Sequence, residues 1–381
     1  MAKNLVVCCD GTNNEFGAAN TNVVRTYSVA TKQEDTQIAY YAPGVGTFPA
    51  TGAILPITQT ATKIAGSAAG YGLSDNVFCS YKFLMENYQE GDRIYLFGFS
   101  RGAYTARVIA ALVHACGLLN PYSDNLISYA WNLFRDESSK NGGKQNQILS
   151  LPVCTKFKET FSRAAPIHFI GVWDTVSSVG QVYNPFKLPY TKTNPSVEIV
   201  RHAISIDERR KFFRTNLWSN PSPQNKTDVI QVWFAGAHAD VGGGYPEAEG
   251  GLSKISLQWM IDEARTAGMG IDASKIPAVL MPAGYTPPPE PPSPTAKMHN
   301  ELDKPSWKAA QLIPREHSQQ DPKSHQWTTS MNWSPAQKPR FIADGSRVHH
   351  TVFDRMKADT TYRPVNVPKD VCDETAAKVT W

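Results

Sequence analysis

Residues 93–107 have the sequence RIYLFGFSRGAYTAR, in which an apolar run, a glycine-flanked serine and a helical pattern follow one another directly. The apolar run contains β-branched and aromatic residues and predicts a buried strand. From Arg101 to Cys116 the apolar residues recur at helical spacing, which predicts a helix. Between the two lies Gly98-Phe99-Ser100-Arg101-Gly102, a G-x-S-x-G pattern that places a nucleophilic serine on a strained turn.

The context of this pattern makes Ser100 a candidate nucleophile. The N-terminus of the predicted helix favours negative charge, which suits an oxyanion held by the amide of Arg101. An ordinary joint between a strand and a helix, with Ser100 as the N-cap, is the alternative.

The composition is that of a globular protein with a sizeable core: 381 residues, 41% of them hydrophobic, and a formal net charge of +4. This length suits one large α/β domain with extensions, or two domains. So small a charge gives no electrostatic reason to expect a nucleic-acid partner. The six cysteines lack metal-ligand spacing, so we expect free thiols and neither metal nor cofactor.

Neither a signal peptide nor a membrane-spanning segment is expected from the sequence. Met1 leads directly into a short apolar strand, without the long apolar region and cleavage site of a signal peptide. We therefore expect a cytoplasmic chain as synthesised, and any export would use a route without a cleavable signal.

The first predicted strand, Leu5–Cys9, is a continuous apolar run typical of a central parallel strand. Ligands in open α/β sheets bind at the carboxyl ends of strands, so Asp10 is a candidate for the substrate site. The amides of Gly11 and Thr12 are candidates for the second oxyanion donor. A plain Asp-Gly turn is the alternative.

A second carboxylate, Asp174, follows the apolar run of residues 166–173. A carboxylate at the end of a strand that follows the nucleophile in the chain is a candidate triad acid, which would orient a histidine. An N-cap or turn residue is the alternative. The next segment, Val197–Arg210, is predicted to be a helix that carries a structural His202.

The run Val229–Phe234 predicts the last clear strand, and the glycine-rich loop after it contains His238 and Asp240. His238 completes the chain order Ser, Asp, His expected of a hydrolase triad. His349, in the C-terminal part, is the alternative base and otherwise a substrate-site candidate. Asp240 and His238 lack a third metal ligand, so Asp240 is expected to order its own loop or contribute to the substrate site.

The chain divides into three parts. Residues 1–281 form the predicted catalytic domain, with residues 120–164 as a candidate cap insertion and residues 48–72 as a flap. Residues 282–294 contain seven prolines and predict a linker or stiff arm. Residues 295–381 show little periodicity and predict an irregular extension that packs on the core.

Five blocks in this order resemble the widespread α/β-hydrolase domain of unknown function that also forms the catalytic part of the first class of type VI secretion lipase effectors. The blocks are Leu5–Asn14, Phe97–Arg107, Gly171–Val176, Ile204–Arg209 and Gln231–Tyr245. The resemblance covers about residues 3–270 and implies a central, mostly parallel sheet flanked by helices. It also implies a triad of Ser100, Asp174 and His238 and, in effector members, phospholipase A activity on bacterial membranes. The effector members carry a large additional membrane-docking region, whereas this chain has only about a hundred residues after the five blocks.

We therefore expect a serine hydrolase that cleaves carboxyl esters of lipids, of the phospholipase A type, through an acyl-enzyme. A small-ester esterase, an acyltransferase and a non-catalytic hydrolase-like binding scaffold are the alternatives. The expected partners are the ester substrate, a membrane surface, and a secretion-apparatus or immunity protein.

Overall fold

A computed structural model describes residues 2–11, 14–44, 73–140, 151–176, 180–181, 184–185, 188–210, 213–219, 226–304, 307–308, 315–320, 327–332 and 339–374. The predicted flap at residues 48–72, the amide of Thr12 and residues 141–150 of the candidate cap lie outside these ranges.

A single sheet of eight parallel strands runs through the described part of the chain. In chain order the strands are β1 Asn4–Cys9, β2 Gln37–Ala42, β3 Arg93–Phe99, β4 Ile167–Trp173, β5 Val197–Ser205, β6 Asp228–Phe234, β7 Ser346–His349 and β8 Val371–Glu374. Their order across the sheet is β8-β7-β6-β5-β4-β3-β1-β2. The chain changes its direction across the sheet between β1 and β3, which is where ligands bind in such folds.

Helices cover both faces of this sheet. They are α1 Asn22–Val29, α2 Leu73–Asn87, α3 Arg101–Cys116, α4 Asp124–Lys140, α5 Pro152–Phe161, α6 His238–Gly242, α7 Gly251–Thr266, α8 Ile276–Leu280 and α9 His350–Ala358. Short 3₁₀ turns lie at Glu247–Glu249, Ala273–Lys275 and Glu301–Asp303. Three small antiparallel pairs join Leu118–Leu119 to Ser162–Arg163, Gly180–Gln181 to Asn184–Pro185, and Arg315–Gln320 to Trp327–Asn332.

The two helical layers form because β1 is apolar on both faces. Leu5, Val7 and Cys9 belong to the core shared with α2, α3, α4 and α5, whereas Val6 and Cys8 belong to the core shared with α1 and α7. Alternate residues of a strand point to opposite faces, so a continuous apolar run requires cover on both sides. The predicted α/β fold with a central parallel sheet is confirmed.

The predicted helix at Val197–Arg210 is wrong, because residues 197–205 form strand β5 between β4 and β6. Its apolar residues satisfy both periodicities, and its β-branched residues favour a buried strand once neighbours exist on both sides. The polar side chains of this segment, which are unusual in a central strand, form ion pairs and hydrogen bonds with neighbouring residues. Arg201 pairs with Asp228 and Glu263, and His202 lies beside Gln231.

The candidate cap residues form α4 and α5, which pack on α3 through apolar side chains such as Trp131, Phe134 and Phe157. Their described part therefore extends the helical layer on one face of the sheet. No helix among the described residues is both long enough and apolar enough to cross a membrane.

The C-terminal segment, defined here as residues 282–374, contains more regular structure than the sequence predicts. Strands β7 and β8 extend the sheet beyond β6, and α9 follows β7. Both strands have only four residues, too few to produce a recognisable pattern. The proline-rich stretch contacts the core through Glu290, whose carboxylate accepts a hydrogen bond from the amide of Gly251 and whose carbonyl accepts one from Lys254.

Candidate active site

Ser100 occupies the turn between β3 and α3 with backbone angles φ 58° and ψ −120°. A positive φ is unfavourable for a residue with a side chain, and such strain at a strand-to-helix turn is typical of a hydrolase nucleophile. The turn is held by the Ser100 amide, which donates to the carbonyl of Trp173 at 3.1 Å. The Ser100 side chain does not cap the helix, contrary to the alternative interpretation of the pattern.

The glycines of the motif allow the backbone to approach closely at this turn. A Cβ atom on Gly98 would lie 2.4 Å from the carbonyl oxygen of Gly102. A Cβ atom on Gly102 would lie 2.2 Å from the carbonyl oxygen of Cys9, at the end of β1. The spacing of the motif therefore brings the start of α3 against the loop that follows β1.

In that loop, Asp10 is buried and its carboxylate accepts hydrogen bonds from the Gly11 amide at 2.7 Å, the Tyr41 hydroxyl at 2.7 Å and the Thr21 hydroxyl. Burial raises the pKa of Asp10 to about 6, although these donors oppose the shift. With its oxygens engaged in this way, Asp10 shapes the loop beside the serine turn.

Asp174 follows β4 and contacts His238, at the start of α6, although the two strands that precede them are separated by β5. The distance between His238 Nδ1 and Asp174 Oδ2 is 2.5 Å. Asp174 is fully buried and His238 nearly so. An imidazole whose Nδ1–H bonds a carboxylate presents Nε2 as a base. The structure thus brings together two of the three predicted triad residues, joined through Nδ1 of the imidazole.

The ring of His238 lies between two aromatic side chains, with centroids 4.6 Å from Phe99 and 4.6 Å from Phe213. Phe99 immediately precedes Ser100, so the imidazole lies beside the serine turn. Nε2 of His238 is buried and has no hydrogen-bond partner within the described ranges. Burial lowers the pKa of His238 below its ordinary value, despite the opposing effect of Asp174, so the ring is neutral near pH 7.

Asp174 has further partners that the sequence did not indicate. Its Oδ1 accepts from the amide and hydroxyl of Ser205, and both oxygens accept from Arg340. Burial alone would raise the pKa of Asp174, but the Arg340 guanidinium and the bond from His238 hold that pKa far below its usual range. Asp174 therefore stays ionised at physiological pH.

Glu208 and Phe213 are two more residues that the sequence reasoning missed. Glu208 accepts a hydrogen bond from the amide of His238 at 3.2 Å and pairs with Arg210 at 2.6 Å. If β5 is recognised as a strand, Glu208 lies just after its carboxyl end, next to the loops that carry Asp174 and His238. For Arg340, in a polar stretch far along the chain, the sequence carries no comparable signal.

The remaining site candidates have separate partners. Asp240 accepts from the amide of Ala237 and from both the amide and Nδ1 of His299, so it orders its own loop. His349 stacks on Phe234 at 4.7 Å, and burial lowers the pKa of His349 to about 3. Asp174 pairs with His238 and not with the alternative base His349.

The three backbone amides that are predicted to hold the oxyanion lie in different surroundings. Arg101 directly follows Ser100 and is the first residue of α3. The Gly11 amide donates to its neighbour Asp10, so in this conformation it is not available to an oxyanion. The Thr12 amide lies outside the described residues.

Comparison with known proteins gives a family and several relatives. Residues 3–263 match the family model described as type VI secretion system phospholipase effector Tle1-like, catalytic domain. An uncharacterised protein of Saccharomyces cerevisiae, YEL023C, is 35% identical over 230 residues, which are 58% of this chain and 33% of that protein. This chain thus spans about a third of the length of that curated relative.

Two solved structures are similar at low identity. An uncharacterised protein from Pseudomonas aeruginosa has a TM-score of 0.40 and 20% identity, covering 71% of this chain and 46% of that one. The Tle1 effector bound to the VgrG spike of a type VI secretion system has a TM-score of 0.38 and 15% identity. The similarity covers 66% of this chain and 52% of that one.

Proposed function

This chain belongs to the family of Tle1-like catalytic domains of type VI secretion phospholipase effectors, and on that premise we propose that it is a serine hydrolase of phospholipid carboxyl esters. The observation that carries the proposal is the buried pair of Asp174 and His238, whose ring packs beside the strained turn of Ser100.

In the proposed reaction, Nε2 of His238 takes the hydroxyl proton of Ser100, and Ser100 Oγ attacks the ester carbonyl. Asp174 keeps the imidazole in the productive tautomer and stabilises the imidazolium that forms. The proton then passes to the leaving alcohol, and water hydrolyses the acyl-enzyme with His238 as the base again. Nε2 of His238 has no hydrogen-bond partner among the described residues, so the proposed reaction requires its hydrogen bond with Ser100 to form when substrate binds.

The amide of Arg101 is the proposed first donor to the oxyanion, since it follows the nucleophile directly at the start of α3. A second donor from the loop after β1 requires the Gly11 amide to exchange Asp10 for the oxyanion, or the Thr12 amide to serve instead. Contact with a membrane surface, with a secretion apparatus and with an immunity protein stays a prediction.

The test compares wild type with Ser100→Ala and with the control Ser138→Ala, which removes a buried hydroxyl on α4 that bonds only the carbonyl of Phe134 among the described residues. We expect wild type to release fatty acid and lysophospholipid from phospholipid vesicles and to react with a fluorophosphonate probe. Ser100→Ala should lose both, with a rate loss of about 10³-fold or more, and Ser138→Ala should keep both.

Other outcomes of the same assays indicate other functions. Faster turnover of short nitrophenyl esters than of phospholipids indicates a small-ester esterase, and transfer of the acyl group to an added alcohol indicates an acyltransferase. Wild type that neither hydrolyses esters nor reacts with the probe contradicts the proposal and favours a binding scaffold.

A further inference from the structure

We infer that Arg340 is a positioning residue of the triad, which clamps Asp174 in the orientation that presents Oδ2 to His238. The inference rests on the proposed function, because a triad is needed for the clamp to matter in catalysis. It adds a residue that lies 77 positions beyond residue 263, the end of the stretch matched by the family model (340 − 263).

The contacts of Arg340 form a fork. Nη1 donates to Oδ1 of Asp174 at 2.5 Å, and Nη2 donates to Oδ2 at 3.0 Å. Two parallel bonds of this kind fix the plane of a carboxylate, which a single donor cannot do. With that plane fixed, Oδ2 faces Nδ1 of His238 at 2.5 Å.

The guanidinium is itself held by groups around the triad. Nη1 also donates to the carbonyl and hydroxyl oxygens of Ser205 at 3.0 and 2.7 Å, and Nη2 donates to the carbonyl of Phe213 at 2.6 Å. Because the ring of Phe213 packs on His238, Arg340 supports both the carboxylate and one wall of the imidazole.

Because the Asp174 carboxylate is buried, it requires the positive charge of the Arg340 guanidinium nearby. The side chain of Asp174 is 0% exposed and that of Arg340 is 7% exposed. A carboxylate taken fully out of water is unstable without a counter-charge and satisfied oxygens. His238 is neutral before the reaction, so Arg340 supplies the positive charge that keeps Asp174 ionised in the resting enzyme.

The backbone of Arg340 is also anchored. Its carbonyl accepts a hydrogen bond from Asn366 Nδ2, which also donates to the carbonyl of Ile206 after β5. The clamp is therefore attached to the sheet at a point independent of its side chain.

Arg355 offers a matched control. It lies on α9 of the same C-terminal segment, and its side chain is similarly buried. Its guanidinium donates to the carbonyls of Pro294 and Ala296 and lies over the ring of Tyr362. Arg355→Gln should therefore lower stability without changing the triad.

The experiment measures kcat, KM and the pH profile of kcat/KM for wild type, Arg340→Gln, Arg340→Lys and Arg355→Gln. Arg340→Gln should lower kcat about 10²-fold, as expected of a misplaced catalytic pair, and leave KM nearly unchanged. Arg340→Lys keeps the charge but not the fork, so we expect only a partial recovery of kcat. Arg355→Gln should keep the kcat of wild type per folded molecule.

The pH profile separates positioning from mere stability. The charged groups that face His238 are Asp174, Glu208 and Arg210, with Arg340 behind Asp174. Without the Arg340 charge, the buried Asp174 carboxylate has only a protonated His238 as its adjacent counter-charge, so the pKa of His238 should rise. The acidic limb of kcat/KM should therefore move to higher pH in Arg340→Gln and stay in place in Arg340→Lys and Arg355→Gln.

A titration that needs no substrate keeps this test apart from that of the proposed function. The imidazole of His238, assigned by NMR against His238→Gln, should titrate at higher pH in Arg340→Gln than in wild type. Wild type without hydrolysis or Ser100 labelling would defeat the proposed function, and the titration would still decide the coupling. The inference is overturned if kcat, acidic limb and titration of Arg340→Gln all match those of Arg355→Gln. If Arg340→Gln does not fold, an unchanged kcat in Arg340→Lys overturns it and a reduced kcat supports it.

Discussion

Asp174 connects residues that are far apart in the chain. Its oxygens meet His238, 64 positions away, and Arg340, 166 positions away, while its own backbone is held at φ 39°. A carboxylate in this environment has no alternative partner in solvent, because it is fully buried. Its charge and its orientation are therefore both set by tertiary contacts.

Replacing this carboxylate by an amide tests its role. Asp174→Asn removes the charge and allows the imidazole to adopt the wrong tautomer, so kcat should fall about 10⁴-fold. The loss is measured as ester hydrolysis per folded molecule, with the folded fraction taken from circular dichroism.

Asp92→Asn is the control for this change. Asp92 accepts hydrogen bonds from the amides of Lys3 and Gln89 next to the start of β3, at the opposite end of that strand from Ser100. It should lower stability and keep kcat. An Asp174→Asn enzyme within tenfold of wild type would show that the pair does not act as a triad.

At the level of elements, the site exists because parallel strands end in register. Cys9 pairs with Gly98, Phe99 with Trp173, and Phe234 with Ser205. The loops that follow these strands consequently meet at one edge of the sheet. Helix α3 begins in the same place because Gly102 lets its first turn touch the end of β1.

Gly102→Ala should disturb that contact. The new methyl group would lie 2.2 Å from the carbonyl of Cys9, and backbone atoms cannot yield as a flexible side chain can. We expect a loss of about 3 kcal/mol in the free energy of unfolding, measured by urea denaturation, and a lower kcat.

Gly17→Ala serves as the comparison, because the atom nearest to its new methyl group would be 4.0 Å away. It should change the free energy of unfolding by less than about 0.5 kcal/mol. Equal effects of the two substitutions would contradict the close-packing argument.

On the scale of the whole molecule, the C-terminal segment binds one carboxylate in each of three loops at the site. Arg340 binds Asp174, Tyr362 donates to Asp207, and His299 binds Asp240. Residues beyond the family-matched stretch therefore hold the loops after β4, β5 and β6. This arrangement couples the order of the site to the docking of the C-terminal segment.

His299 makes part of this docking dependent on pH. Its Nδ1 lies 2.7 Å from Asp240 and its Nε2 lies 3.0 Å from Glu249, while its ring stacks on Tyr245. Burial opposes the charged form, but the two carboxylates outweigh it and raise the pKa of His299 above its ordinary value. The stabilisation is therefore complete below the unfolded pKa of about 6.5 and is lost as pH rises through the higher folded value.

His299→Gln should remove this dependence and lower the free energy of unfolding by about 1–3 kcal/mol at pH 6. The difference between wild type and variant should shrink as pH rises from 6 to 9 in thermal or urea unfolding. Lys297→Met is the control, because its exposed pair with the same Glu249 contributes less than about 1 kcal/mol. A constant difference across this pH range would contradict a charged His299.

The serine turn, the apolar strands and the positions of Asp174 and His238 after the ends of strands were predictable, because each follows from residues that are neighbours in the chain. An apolar run or a G-x-S-x-G turn has the same local physics in any protein that contains it. The misassigned β5, the four-residue strands β7 and β8, and the Arg340 clamp were not predictable in this way. Arg340 leaves no local pattern because the partners of its side chain lie more than a hundred residues away, and the short strands β7 and β8 depend on their pairing with β6 and with β7, respectively. These strands and the contacts of Arg340 depend on burial and on neighbouring strands and side chains, which come together only once the chain has folded.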